Sequence, residues 1–130
     1  MGGNFFGILT AMSNQPKHVL GKYGEMMAAD FLARQGYEIV ERNWHCRQGE
    51  LDLIAKDQDQ WVFVEVKTRS SKTADSGFEA VDQLKLQKLR RTIARWCELK
   101  QISSIKLRLD VVSVYVSAGN VRFEHLKQVF

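Results

Sequence analysis

Two apolar runs joined by five polar residues constrain this chain more than any other feature. Residues 51–55, "LDLIA", and 61–67, "WVFVEVK", flank the link "KDQDQ". Runs of this length around so short a link predict an antiparallel hairpin. Yet each run carries charge where apolar residues are expected. Asp52 sits among Leu51, Leu53 and Ile54, and Glu65 and Lys67 interrupt Val62, Phe63, Val64 and Val66.

Side chains alternate along a strand, so Glu50 and Asp52 share one face, as do Glu65 and Lys67. A turn about Gln58 and Asp59 sets Ala55 opposite Val62, Ile54 opposite Phe63, Asp52 opposite Glu65 and Glu50 opposite Lys67. The last pair is favourable. Like charges directly opposite destabilise a sheet, and among apolar neighbours desolvation adds to the cost.

Two remedies exist: one carboxyl keeps its proton, or a divalent cation sits between the two. Hard cations such as Mg²⁺ take one or two carboxylates together with water and phosphate oxygens. An ammonium at Lys67 beside them suits phosphodiester hydrolysis, where it positions the nucleophile or offsets developing charge. The plainer alternative is an exposed charge ladder on a one-faced sheet.

The rest of the chain supplies the frame. Residues 17–34 carry Leu20, Tyr23, Met27 and Phe31 at helical spacing, and Gly36 is a natural stop. "YEIVERNW" predicts a first strand. The small polar stretch 70–77 reads as a mobile loop. A second helix is expected from about Phe78 to Leu99, with Leu86, Leu89, Ile93 and Cys97 as its apolar stripe. Between Gln83 and Lys100 it holds six basic residues and one acidic one. Residues 105–116 predict a long central strand, and Gly119-Asn120 a turn into the short last strand "VRFEHL". The order is α-β-β-β-α-β-β, an α/β fold with one mixed sheet flanked by helices.

With 130 residues the chain suits a single domain over 17–130, preceded by a flexible extension over 1–16 in which Met12 offers an alternative start. The extension lacks the positive start of a secretory signal, and no apolar run is long enough to cross a bilayer. Cys46 and Cys97 form no CxxC pair, which fits a reducing cytoplasm. His18, His45 and His125 lack zinc-helix spacing, and His45-Cys46 has no second ligand pair. The net charge of +4 permits an anionic partner without requiring one.

Seven stretches carry a family resemblance: "GKYGEMMAADFL", "ERNW", "GELDLIA", "FVEVKTRS", "EAVDQLKLQKLRRTIARW", "RLDVVSV" and "HLKQVF". In this order and spacing the chain resembles the YraN family of small bacterial predicted endonucleases. That family falls within the PD-(D/E)xK nuclease superfamily, which includes Holliday-junction resolvases. The resemblance implies a restriction-endonuclease-like αβββαβ core and Mg²⁺- or Mn²⁺-dependent hydrolysis of DNA, branched or structured DNA included, with RNA open. It assigns Asp52 and Glu65 to the metal, Lys67 to catalysis, and Glu25 to an acidic position that reaches the metal site from the first helix. Lys85 matches a recurrent basic position. With Lys88, Arg91 and Arg69 it is expected to grip phosphates. Relatives often follow that lysine with glutamine, whereas this chain has Leu86. Resolvase-like members act as dimers, so a homodimer is allowed, although no interface is legible. The alternatives are a nucleic-acid-binding module with the fold but no catalysis, and a protein that docks an acidic partner on its basic helix.

Overall fold

The computed structural model describes residues 17–70, 83–103 and 107–129. In chain order the elements are α1 (Lys17–Arg34), β1 (Glu38–Cys46), β2 (Gly49–Asp57), β3 (Gln60–Ser70), α2 (Gln83–Lys100), β4 (Leu107–Ser117) and β5 (Asn120–Leu126). This is the order expected from the sequence. The extension over 1–16, the loop from Ser71, the helix start at Phe78 and the strand start at Ile105 lie outside the described residues.

The five strands form one sheet in the order β1-β2-β3-β4-β5. All neighbours are antiparallel except β3 and β4, which run parallel. A parallel pair needs a crossover, and α2 lies within that connection. The fold is therefore α/β with a mixed sheet, consistent with a restriction-endonuclease-like core.

Each helix ends where its backbone chemistry dictates. At the end of α1 the Tyr37 N–H donates to Leu32 O (3.0 Å) and the Gly36 N–H to Ala33 O (3.0 Å), with Gly36 at φ 97°. This pairing satisfies the last carbonyls and needs a left-handed residue, which glycine supplies without strain. The same pattern closes α2, where Ile102 N–H donates to Cys97 O (2.9 Å) and Gln101 takes φ 56°. The β2–β3 turn falls at Gln58-Asp59 as expected. The last hairpin turns one residue earlier than expected, at Ala118-Gly119, with Gly119 at φ 75°.

Apolar clusters cover both faces of the sheet. On one face Leu20, Ala28, Ala29 and Leu32 of α1 pack on Leu53, Ala55, Val62, Val64, Val112, Val114 and Val116. On the other, Ile93, Trp96 and Cys97 of α2 pack on Leu51, Ile54, Phe63 and Leu109. Double coverage explains why β3 and β4 read as nearly continuous apolar runs. The Trp96 ring meets Phe63 and Trp61 edge-on (5.5 and 5.3 Å between centroids), and its Nε1–H donates to Glu41 Oε1 (2.9 Å).

The buried face of α1 keeps Leu20 from the stripe that periodicity predicts but not its larger members. Tyr23 is 40% exposed, and Met27 and Phe31 are only partly buried, while Gly24, Ala28, Ala29 and Leu32 face the sheet. Small residues bring this helix close to β3, so the large ones are displaced to its flanks.

Candidate functional site: an acidic cleft where two strands part

The β2–β3 ladder pairs Asp57 with Gln60, Ala55 with Val62, Ile54 with Phe63 and Leu53 with Val64, and ends there. Beyond it β2 stays with β1 as far as Gly49, and β3 stays with β4 as far as Ser70. A wedge opens between them at Asp52 and Glu65, the like-charged pair. Side-chain alternation along β2 also breaks here, since Leu53 joins the α1-side cluster and Leu51 the α2-side one.

Asp52 fills the gap. Its Oδ2 accepts a hydrogen bond from the Val66 backbone N–H (2.8 Å), a donor that the vanished ladder no longer uses. Its carboxyl also shares hydrogen bonds with Glu65 and with Glu25 of α1. Burial, the Glu65 hydrogen bond and the charges of Glu65 and Glu25 push the Asp52 pKa up to about 8, against the Val66 N–H. Glu65 moves the other way. Burial alone would raise it, but the proton shared from Asp52 and the ammoniums of Lys85 and Lys67 lower it below the ordinary carboxylate range. The pair therefore holds one proton near neutral pH, which is the first of the two remedies.

Glu25 is raised by burial and by the Glu50 and Glu65 charges, against the Asp52 hydrogen bond and His45. From helical periodicity it reads as an exposed residue, yet the close seating of α1 turns it towards Asp52. Lys85 of α2 sets its Nζ 2.9 Å from Glu65 Oε2. The cleft of about 620 Å³ is lined by Gly49, Glu50, Asp52, Glu65, Val66, Lys67, Leu84, Lys85, Lys88, Leu89 and Thr92. Among the described residues no three His, Cys, Asp or Glu side chains stand in metal-holding geometry. Asp52 and Glu65 offer two carboxylates, an all-oxygen donor pair. That chemistry fits a hard cation which takes its other ligands from water and phosphate.

Comparison with other sequences decides the family. The model of Uncharacterised protein family UPF0102 matches residues 24–114, from Gly24 of α1 to Val114 of β4. The chain belongs to this family. A UPF0102 protein of Beutenbergia cavernae is 49% identical over 114 residues, covering 87% of this chain and 97% of its own. One from Paenarthrobacter aurescens is 48% identical over 115 residues, covering 87% and 94%. Their names give the family and no activity. A solved structure described as "Crystal structure of SSO0001" aligns over 89% of this chain and 54% of its own, at 13% identity and a TM-score of 0.37. That likeness is too loose to carry an argument.

The family match spans every expected site residue, and the structure gathers most of them. Glu25, Asp52, Glu65, Lys67, Lys85 and Lys88 meet at the cleft. Arg91 does not, because it faces a shallow groove with Gln48, Ala94, Arg95 and Glu98. Arg69, two residues beyond Lys67, lies level with Tyr115 of β4 rather than in the cleft lining. Glu50 pairs with His45 of β1 (Nδ1 to Oε2, 3.1 Å), not with Lys67 as the extended hairpin register predicts, because the strands have parted by then. No helix among the described residues is long and apolar enough to cross a membrane.

Two glycines seat the helices on either side of the cleft. A Cβ at Gly24 would lie 1.8 Å from Thr68 Oγ1 and 2.7 Å from Thr68 Cβ, and one at Gly49 would lie 2.7 Å from Thr92 Oγ1. Gly21, three residues before Gly24, has nothing within 4 Å. The two α1 glycines should therefore respond oppositely to alanine. Gly21→Ala should gain up to about 1 kcal/mol from helix propensity. Gly24→Ala should lose about 1–3 kcal/mol through overpacking, more than that gain. Urea unfolding of both variants checks the contrast, and equal responses would contradict the close approach at Thr68.

Proposed function

We propose that this chain is a metal-dependent endonuclease that hydrolyses phosphodiester bonds in DNA, branched or structured DNA included. The observation that carries the reading is the meeting of Asp52, Glu65 and Lys67 at one strand fork, walled by Lys85 and Lys88 of a basic helix. Fold alone would not support it, since one fold hosts many functions. The resemblance to PD-(D/E)xK nucleases adds to the reading.

Asp52 and Glu65 would hold Mg²⁺ or Mn²⁺, which supplies Lewis-acid polarisation of a phosphoryl oxygen and acidifies a water. The chain's own residues do the rest. Lys67 lies close enough to Glu65 to lower its pKa, and it donates to the oxygens on which charge develops. Glu25 orients Asp52 through their hydrogen bond and stands ready to relay a proton. Lys85 and Lys88 hold the phosphates flanking the scissile bond, with Arg91 and Arg69 further along the strand.

Such contacts are electrostatic and largely independent of sequence. With three or four phosphates neutralised, DNA affinity should fall roughly 50–150-fold between 50 and 200 mM salt. Fluorescence anisotropy with a labelled duplex measures this, and an affinity that ignores salt would sink the phosphate grip.

The Lys85–Glu65 ion pair favours one second reading, a nucleic-acid-binding module whose acidic cleft is neutralised from within. Binding and cutting by wild type and Asp52→Asn on the same DNA separate the two. Equal binding with cleavage confined to wild type supports the enzyme. Equal binding with no cleavage by either, in any divalent metal, supports the module.

A further inference from the structure

Lys85 of α2 and Glu65 of β3 form an ion pair at the cleft, with Lys85 Nζ 2.9 Å from Glu65 Oε2. The Glu65 side chain is only 17% exposed, so the pair reaches from the helix surface into the fork. On the proposed reading, that oxygen also belongs to a divalent cation's ligand set.

We infer that Lys85 is an exchangeable internal counter-ion that occupies the Glu65 carboxylate until a nucleic-acid phosphate draws it away. The inference rests on the nuclease reading and adds a regulation to it, in that divalent-cation binding and polyanion binding are coupled through one side chain. A cation entering beside Glu65 meets the Lys85 and Lys67 charges at once, and like charges at that range repel strongly in a half-buried site. Lys85 can leave. Half of its side chain is exposed, its four-carbon stem is flexible, and it lines the same cleft as Lys88, one turn further along α2. A phosphate at the cleft mouth takes the ammonium and frees the carboxylate oxygen in the same movement.

Coupling of this kind is reciprocal. DNA that tightens cation binding is itself bound more tightly, by the same factor, when the cation is present. The cleft would thus stay without metal when no substrate is bound and fill when one arrives, which limits adventitious hydrolysis.

The test is direct Mn²⁺ binding, followed by the electron paramagnetic resonance signal of the free ion, with no DNA in the sample. Lys85→Gln keeps the length and removes the charge, and Lys85→Ala provides a second form. Both should bind Mn²⁺ at least about tenfold more tightly than wild type, a typical coupling magnitude. Lys88→Gln, which removes a cleft charge that has no ion pair with Glu65, should change far less. Circular dichroism melts confirm that each variant is folded. In a second arm, Mn²⁺ should improve DNA affinity more for wild type than for Lys85→Gln. If wild type and both Lys85 variants bind Mn²⁺ equally, the counter-ion role is overturned and the metal site stands. If none of them binds Mn²⁺, with or without DNA, the metal reading falls and the counter-ion role falls with it.

Discussion

Replacing Asp110 by alanine is expected to lower stability by about 3–5 kcal/mol, the cost of breaking a buried ion pair from one side. For a chain of this size that is a fall in melting midpoint on the order of 10–20 °C. Asp110 of β4 is fully buried. Its oxygens accept from Arg108 Nε (2.9 Å) and Nη2 (3.0 Å), from the Gln128 backbone N–H (3.0 Å), and stand 2.7 Å from His125 Nε2. Arg108, also buried, donates as well to Asp57 Oδ2, Gln60 Oε1 and the Tyr37 hydroxyl. One guanidinium thus ties β4 to the β2–β3 turn and the end of α1, and one carboxylate ties it to β5 and the carboxyl-terminal segment.

Removing the carboxylate leaves Arg108 charged and buried. The double variant Arg108→Met/Asp110→Leu should therefore cost much less than the two single losses added together. Burial pushes Asp110 upward, but His125, Arg108 and the Gln128 N–H more than reverse it, so its folded pKa is lowered. The stability it contributes is complete above the unfolded carboxyl value of about 4 and is lost as pH falls below it. Urea midpoints of wild type should drop through that acid range, and Asp110→Ala should flatten the drop.

Replacing Asp52 by asparagine should have the opposite sign. The Asp52 pKa is raised to about 8, so the folded chain keeps a proton that the unfolded chain releases near pH 4. Stability from this group is complete below the unfolded value and declines as pH rises through the folded one. Asparagine resembles the protonated carboxyl and cannot ionise. The variant should match wild type near pH 4 and exceed it at pH 9 by roughly 2–4 kcal/mol, once the contrary Glu65 shift is allowed for. Guanidinium unfolding at the two pH values measures the difference. A variant more stable but inactive would mean that the fold tolerates an unfavourable carboxyl pair for the sake of chemistry. Equal stability at pH 9 would mean that the two carboxyls do not share a proton.

The element order and the hairpin register were legible because both rest on local chemistry. Alternation along the strands and a short polar turn leave one pairing that keeps Leu53, Val62 and Val64 on one buried face. The charges at Asp52, Glu65 and Lys67 stood out for the same reason, as interruptions of apolar runs. What escaped depends on close approach and long reach. Periodicity favours large residues, so it selected Tyr23, Met27 and Phe31, while Gly24, Ala28 and Ala29 make the contact with the sheet. The ion pair between Lys85 and Glu65 joins residues far apart in sequence, and the family resemblance that singled out Lys85 pointed to a phosphate rather than to Glu65. The Arg108–Asp110 network had left a signal of the kind seen at Asp52, two charges alternating with leucines at the start of an apolar strand. Its partners Tyr37, Asp57 and His125 come together only once the sheet closes.

The central claim is that the cleft cuts nucleic acid, and metal-dependent cleavage tests it most directly. End-labelled duplex, single-stranded and four-way-junction DNA are incubated with wild type, Asp52→Asn and Lys67→Ala, each in Mg²⁺, Mn²⁺ or chelator. Wild type should cut with metal and not with chelator, and each variant should lose about 10²-fold or more in rate, the usual cost of removing a group that stabilises transition-state charge. Cleavage that survives in Asp52→Asn, or in chelator, would contradict the account.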